Sequence, residues 1–147
     1  MTEATQSARK AWMSTLAKAP PARLAALMPD LPAHEMLRHP ECGAVMVRGR
    51  VGGTGEPFNL GEMTVTRCSV RLADGTVGHA WVQGRDKAHA TRAAVADALM
   101  QTDAAARIAG EVVDVLRDEA QAARKTRAGK AAATRVEFFT LVRGEDA

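Results

Sequence analysis

Asp74-Gly75, set between two runs of β-prone residues, restricts what this chain can fold into more than any other pair in it. An Asp-Gly pair supplies the positive φ angles of a two-residue hairpin turn, whose twist matches that of the flanking strands. Upstream, residues 62–72 alternate, with Met63, Val65, Arg67 and Ser69 on one side and Thr64, Thr66, Cys68, Val70 and Leu72 on the other. Residues 76–82 then return antiparallel to that strand. Whatever else the chain builds must cover at least one face of this antiparallel pair.

Helices are the available cover. In residues 5–19, Ala8, Trp12, Leu16 and Ala19 recur at spacings of three and four, giving one apolar face anchored by Trp12. Pro20-Pro21 ends that helix, Pro21 opens a short second one through Leu24, Leu27 and Met28, and Pro29 and Pro32 close it. Residues 40–43, Pro-Glu-Cys-Gly, read as a turn before a strand at 44–48 that feeds a glycine-rich loop. Asp86 is placed to cap a helix over residues 87–100, where Ala90, Ala94 and Ala98 form a small face suited to close packing on a sheet. Thr102-Asp103 restarts a helix with Ile108, Val112, Val115 and Leu116 on one stripe, and residues 119–130 prolong it with little to bury. Residues 135–143 alternate with apolar groups on both faces, which predicts a well-covered strand.

These elements predict an α+β fold: an antiparallel sheet of about three to five strands, an N-terminal helical hairpin, and two further helices before a C-terminal strand. A length of 147 residues fits a single domain. Its parts are a helical hairpin in 1–30, strands with a glycine-rich loop in 44–82, helices in 86–130 and a strand in 135–143. Hydrophobic residues make up 46% of the chain but aromatic ones only 3%, and much of the apolar share is alanine. The core is therefore expected to be thin, and the domain to depend on a partner for part of its burial.

The formal charge of +3 arises from 20 basic and 17 acidic residues mixed along the chain, which argues little for nucleic acid or a membrane. Lys125, Arg124, Arg127, Lys130 and Arg135 cluster near the end, without the interleaved aromatics that base stacking needs. Cys42 and Cys68 lack metal-type spacing, and no long apolar run is present, so reduced thiols in a cytoplasmic protein are expected.

Chemistry, if the chain carries any, belongs to residues 49–86. Arg50, Gly52, Gly53, Thr54, Gly55 and Glu56 open this stretch, and Gln83, Gly84, Arg85 and Asp86 close it. The glycines are followed by no Gly-Lys-Ser/Thr and by no immediate helix, which excludes a Walker loop and a dinucleotide fingerprint. Backbone amides of such a loop can still form an anion nest, with Arg50, Thr54 and Arg85 holding phosphoryl or carboxylate oxygens. The plainer arrangement has Arg50 paired with Glu56 or Asp86 to fix the loop. His89 stands at i+3 from Asp86, a spacing that serves acid–base chemistry or simple capping. No nucleophilic Ser or Cys setting appears.

Several segments together resemble the PhnG family, the G subunit of the bacterial carbon–phosphorus lyase system. They are Arg9-Lys10-Ala11-Trp12-Met13, Arg50-Val51-Gly52-Gly53-Thr54-Gly55-Glu56-Pro57-Phe58, Thr64-Val65-Thr66-Arg67 and Val70-Arg71-Leu72-Ala73-Asp74-Gly75-Thr76, followed by Trp81-Val82-Gln83-Gly84-Arg85-Asp86-Lys87, Asp97-Ala98-Leu99-Met100 and Arg135-Val136-Glu137-Phe138-Phe139-Thr140-Leu141-Val142-Arg143-Gly144. They span nearly the whole chain in the family's order. The glycine loop and the C-terminal segment are the specific ones.

The resemblance implies an accessory subunit of a core complex with the H, I and J subunits, docked most directly on I. In that complex an alkylphosphonate displaces adenine from MgATP to give ribose 1-alkylphosphonate 5-triphosphate. It further implies that this chain binds no cofactor or metal of its own, MgATP being a substrate of the complex, and that Cys42 and Cys68 hold no iron–sulfur cluster. On this reading the residues at 50–56 and 83–86 serve as an interface. The alternatives are that they contribute substrate-binding groups to a shared active site, or that the chain is a free-standing nucleotide or nucleic-acid binding module.

Overall fold

The hairpin at Asp74-Gly75 forms in the computed structural model, which describes residues 3–136, but through a three-residue loop, Ala73 to Gly75, closed by Leu72 N to Thr76 O and Gly75 N to Leu72 O, so that Gly75 and not Asp74 takes a positive φ. Asp74 Oδ1 accepts the Thr76 amide at 2.9 Å, and Gly75 takes the positive φ of 89° that the turn demands. Strands β2 (Pro57–Leu72) and β3 (Val77–Gln83) pair antiparallel on either side of it. The strand before the glycine loop is β1 (His34–Arg50), so the three-stranded sheet has the order β1-β2-β3.

β1 corrects the expected turn at residues 40–43, through which the strand in fact runs. Pro40 cannot donate to a ladder, yet among the described residues β1 is the terminal strand of the sheet and its register shifts between Arg38 and Glu41. An edge position and a bulge are the two settings in which a strand tolerates proline. The strand therefore starts at His34 rather than 44.

Thr66, Cys68, Val70 and Leu72 of β2 and Ala80 and Val82 of β3 are buried on one face of the sheet. Against them lies α3 (Lys87–Leu99), in which Ala90 and Ala93 to Ala98 are all buried. A helix covered on every side needs small side chains, and here the approach is closest at Gly78. A Cβ on that residue would sit 2.0 Å from the Ala94 carbonyl oxygen and 2.6 Å from the Ala98 nitrogen.

The outer side of α3 is closed by α1 (Glu3–Lys18), α2 (Pro21–Leu27), α4 (Ala105–Ile108) and the start of α5 (Asp114–Ala133), through Leu16, Leu24, Ile108, Val112, Val113 and Leu116. A π-helical turn, Ala109–Val113, joins α4 to α5. Its wider turn advances the helix phase, so Val113 is buried where the 3.6-residue periodicity placed Val115, which is only half-buried. Residues 117–136 are exposed throughout, as expected for 119–130. The predicted strand at 135–143 falls almost entirely outside the described residues.

Asp97, fully buried in α3, joins the layers. Its carboxylate accepts Arg9 Nη2 at 2.7 Å, Arg9 Nε at 3.2 Å, Trp12 Nε1 at 2.8 Å and the His79 amide at 2.9 Å. α1 is thereby fastened to α3, and both to β3. The bonds Gly84 N to Thr64 O and Leu72 N to Thr76 O turn the even-numbered residues of β3 toward β2. Its odd-numbered residues consequently face outward, where Asp97 takes the His79 amide and Gln101 Nε2 donates to the Val77 carbonyl at 2.9 Å. These two side chains close that part of the β3 edge.

Candidate functional site

The glycine loop is the tip of a hairpin arm. β2 pairs with β3 only from Val65 to Arg71, whereas β1 and β2 stay paired out to Arg50 and Pro57. Beyond Thr64, therefore, the sheet narrows to a two-stranded ribbon. Among the described residues no element forms a second layer on this ribbon, and a two-stranded ribbon by itself is marginally stable in water. Its apolar residues are correspondingly bare: Met46 is 52% exposed, Phe58 42%, Leu60 67% and Val51, at the tip, 64%.

At the tip, Val51–Gly53 form one 3-10 turn in which Gly52 and Gly53 hold φ of 58° and 82°. The Gly55 amide donates to Val51 O at 2.8 Å, and Thr54 N–H also reaches Val51 O. Arg50 Nη1 donates to the Gly55 carbonyl at 3.1 Å. This corrects the expectation that Arg50 pairs with Glu56 or Asp86: its guanidinium closes the loop through backbone. Glu56 is exposed, and its carbonyl receives the Val51 amide at 3.4 Å. Arg48, Gly49, Arg50, Gly53 and Pro57 line a shallow open hollow of about 540 Å³ beside this tip.

Gln83 to Asp86 lie elsewhere. Gly84 hydrogen-bonds Thr64 through its amide and Thr66 Oγ1 through its carbonyl, at 2.9 and 2.7 Å. Asp86 Oδ1 accepts the His89 amide at 2.8 Å, the predicted N-cap of α3. The His89 ring is buried and meets Leu16 O at 2.9 Å through Nε2, so Asp86 and His89 do not form a side-chain acid–base pair. Arg85 is exposed on the turn. From Thr64 to the start of the tip at Pro57, the ribbon covers seven residues, or about 23 Å at ~3.3 Å per residue. The residues at 50–56 and those at 83–86 are thus two places, not one.

A third group of residues occupies the sheet face away from α3. Glu41 Oε1 accepts Arg38 Nη1 at 2.6 Å and Arg67 Nε at 2.5 Å. The Arg67 guanidinium also lies 5.7 Å from the centroid of Trp81, which is 51% exposed. Hydrogen bonds from Arg38, then from Arg67, hold the Glu41 carboxyl below its usual range. Next to them, Ser69 Oγ and His79 Nδ1 are 2.8 Å apart. Alternation predicted that Arg67 and Ser69 share a side, but the turn read at 40–43 hid Glu41 from that side. Exposed Trp and Arg side by side are residues on which interfaces concentrate binding energy.

Among the described residues no three or more His, Cys, Asp or Glu are arranged to hold a metal ion. Nor is any helix among them long and apolar enough to cross a membrane. Both cysteines are free thiols, Cys42 exposed on β1 and Cys68 buried under α3.

A family model described as phosphonate metabolism protein PhnG matches residues 7–144. The alpha-D-ribose 1-methylphosphonate 5-triphosphate synthase subunit PhnG of Rhizobium meliloti (strain 1021) is 49% identical over 117 residues, covering 80% of this chain and 75% of that protein.

Proposed function

The chain belongs to the PhnG family, and from that membership we propose that it is an accessory, architectural subunit of the synthase that joins an alkylphosphonate to the ribose of MgATP with release of adenine. Its partners are the H, I and J subunits of the carbon–phosphorus lyase core complex, and its principal contact is with I. The hairpin arm is the observation that carries this reading. A ribbon with Phe58, Leu60 and Met46 bare to solvent is stabilised when a partner covers it. The chain contributes shape and burial, and the displacement at the anomeric carbon is carried by another subunit.

The hollow beside the tip favours a second reading, in which Arg48 and the loop amides hold triphosphate oxygens at a shared active site. Co-expression with the I subunit separates the two. Wild type is compared with Phe58→Ala/Leu60→Ala, with Arg48→Ala and with Arg85→Ala, for co-purification and for adenine release from MgATP plus methylphosphonate. The architectural reading predicts that the double substitution abolishes co-purification. If the Arg48→Ala complex assembles fully and adenine release collapses, the tip belongs to the active site and the architectural reading of it fails.

A further inference from the structure

The excess positive charge of this molecule sits in one element. Of the 20 basic and 17 acidic residues in the chain, residues 120–136 hold Arg124, Lys125, Arg127, Lys130 and Arg135 and no Asp or Glu, which leaves 15 basic against 17 acidic residues elsewhere. The formal charge of +3 is thus a basic segment on a body with excess acid.

Most of that segment is the outer half of α5. Leu116 is the last buried residue of the helix, and every residue from 117 to 136 is exposed. At the root of this half, Arg23 donates to Glu119 through Nε and Nη2 at 2.8 to 3.1 Å, which orients the helix where it leaves the body. Residues 120–133 then run on for ~21 Å at about 1.5 Å per residue. Among the described residues none of the five cations has an ion-pair partner. Arg124, Arg127 and Lys130, three residues apart, fall within one third of the helix circumference, where like charges repel. A helix that is polar all round is held by its own i,i+4 ion pairs, bridges to another body, or is unstable. With no carboxylate in residues 120–136, the first of these is closed to this half of α5.

We propose that residues 120–135 dock into an acidic groove on a neighbouring protein subunit, an inference that rests on reading the chain as a subunit of a synthase. Charge complementarity selects this occupant. A bilayer would need large apolar side chains beside the cations, but the adjoining side of the helix carries Ala122, Thr126, Gly129 and Ala133, with Thr126 Oγ1 turned back on the Ala122 carbonyl at 3.1 Å. A nucleic-acid duplex carries one charge per ~1.7 Å and continues past a helix of this length, against a body with excess acid. A single strand would need aromatic side chains to stack on, and residues 120–136 contain none. A groove whose carboxylates are confined to the length of the helix meets the cations and avoids the acidic body.

To test this, the tagged full-length chain is co-expressed with the other synthase subunits, and recovery of those subunits is measured at rising salt. Arg127→Glu/Lys130→Glu is expected to lower recovery about tenfold, and Arg127→Gln/Lys130→Gln to lower the salt concentration at which half is recovered. Lys10→Glu/Lys18→Glu, an equal change of charge at exposed positions of α1, is expected to leave both unchanged. Recovery equal to wild type in both α5 variants overturns the proposal while the subunit reading stands. A wild-type chain that recovers no subunit overturns both.

Because charge reversal can also unwind a helix, the unaltered complex supplies a second measurement. Carbodiimide coupling is expected to join Lys125 or Lys130 to an Asp or Glu of another subunit, located by mass spectrometry. Coupling of these lysines only within the chain, as to Glu137, Glu145 or Asp146, or no coupling at all, overturns the proposal. Recovery that nuclease treatment abolishes also overturns it, and gives the helix to nucleic acid.

Discussion

Asp97 accepts four hydrogen bonds while fully buried, from Arg9 twice, Trp12 and the His79 amide. Replacing it with alanine leaves the partly buried Arg9 and an indole N–H without an acceptor, and breaking one partner of such a set costs about 3 kcal/mol. Chemical denaturation of Asp97→Ala against wild type measures that loss, with Arg9→Ala expected to cost less because its side chain is 19% exposed. Glu41 carries the opposite lesson about exposure. Its carboxyl lies below its ordinary value of 4.5 because Arg38 and then Arg67 donate to it. Since the folded pKa is the lower one, the contribution of this cluster is complete above the ordinary carboxylate range and is lost as pH falls through the depressed value. Titration of the Glu41 carboxyl by NMR is expected to give a midpoint below 4.5, and Arg38→Ala to move it upward. The capping role of Asp86 could be assigned from sequence, because a helix cap is completed within three residues. The Asp97 set joins positions 85 and 88 residues apart, and no local pattern encodes it.

The hairpin at Asp74-Gly75 and the alanine face of α3 were readable because each follows from a short-range rule: a turn type in one case, a helical period in the other. β1 and the π turn were not. In β1, Pro40 looks like a break unless the edge position of the strand is known, and that position is a property of the whole sheet. In the turn at Ala109–Val113, a helix with one widened turn has the same composition as a regular one. The contact of β3 with α3 at Gly78 yields a direct test. Gly78→Ala places a methyl against the Ala94 carbonyl oxygen and the Ala98 nitrogen, which are backbone and cannot swing away. Overpacking of this kind costs about 3 kcal/mol or more, so the melting temperature of Gly78→Ala is expected to fall steeply, while Gly43→Ala, with open space around it, leaves the core intact.

Across the molecule, the core and the arm have separate sources of stability. The sheet, α3 and the outer helices share one cluster of buried residues, none of which comes from the ribbon beyond Thr64. Replacing residues 46–60 with a short Asn-Gly turn is therefore expected to leave the urea unfolding free energy of the chain within about 1 kcal/mol of wild type, as for surface changes. The same variant is expected to lose co-purification with the I subunit. A result in which the shortened chain fails to fold would place the arm in the core instead. Sequence located the tip through its glycines but joined it to Gln83 to Asp86, because residues close along the chain look like one site until the intervening strand lengths are known. The unequal edges of the sheet decide where a neighbouring backbone could bond to it. Among the described residues, Val77 and His79 of β3 already spend an outward carbonyl and amide on Gln101 and Asp97, whereas β1 has β2 on one side alone, so the ladder is more readily lengthened along β1 than along that part of β3.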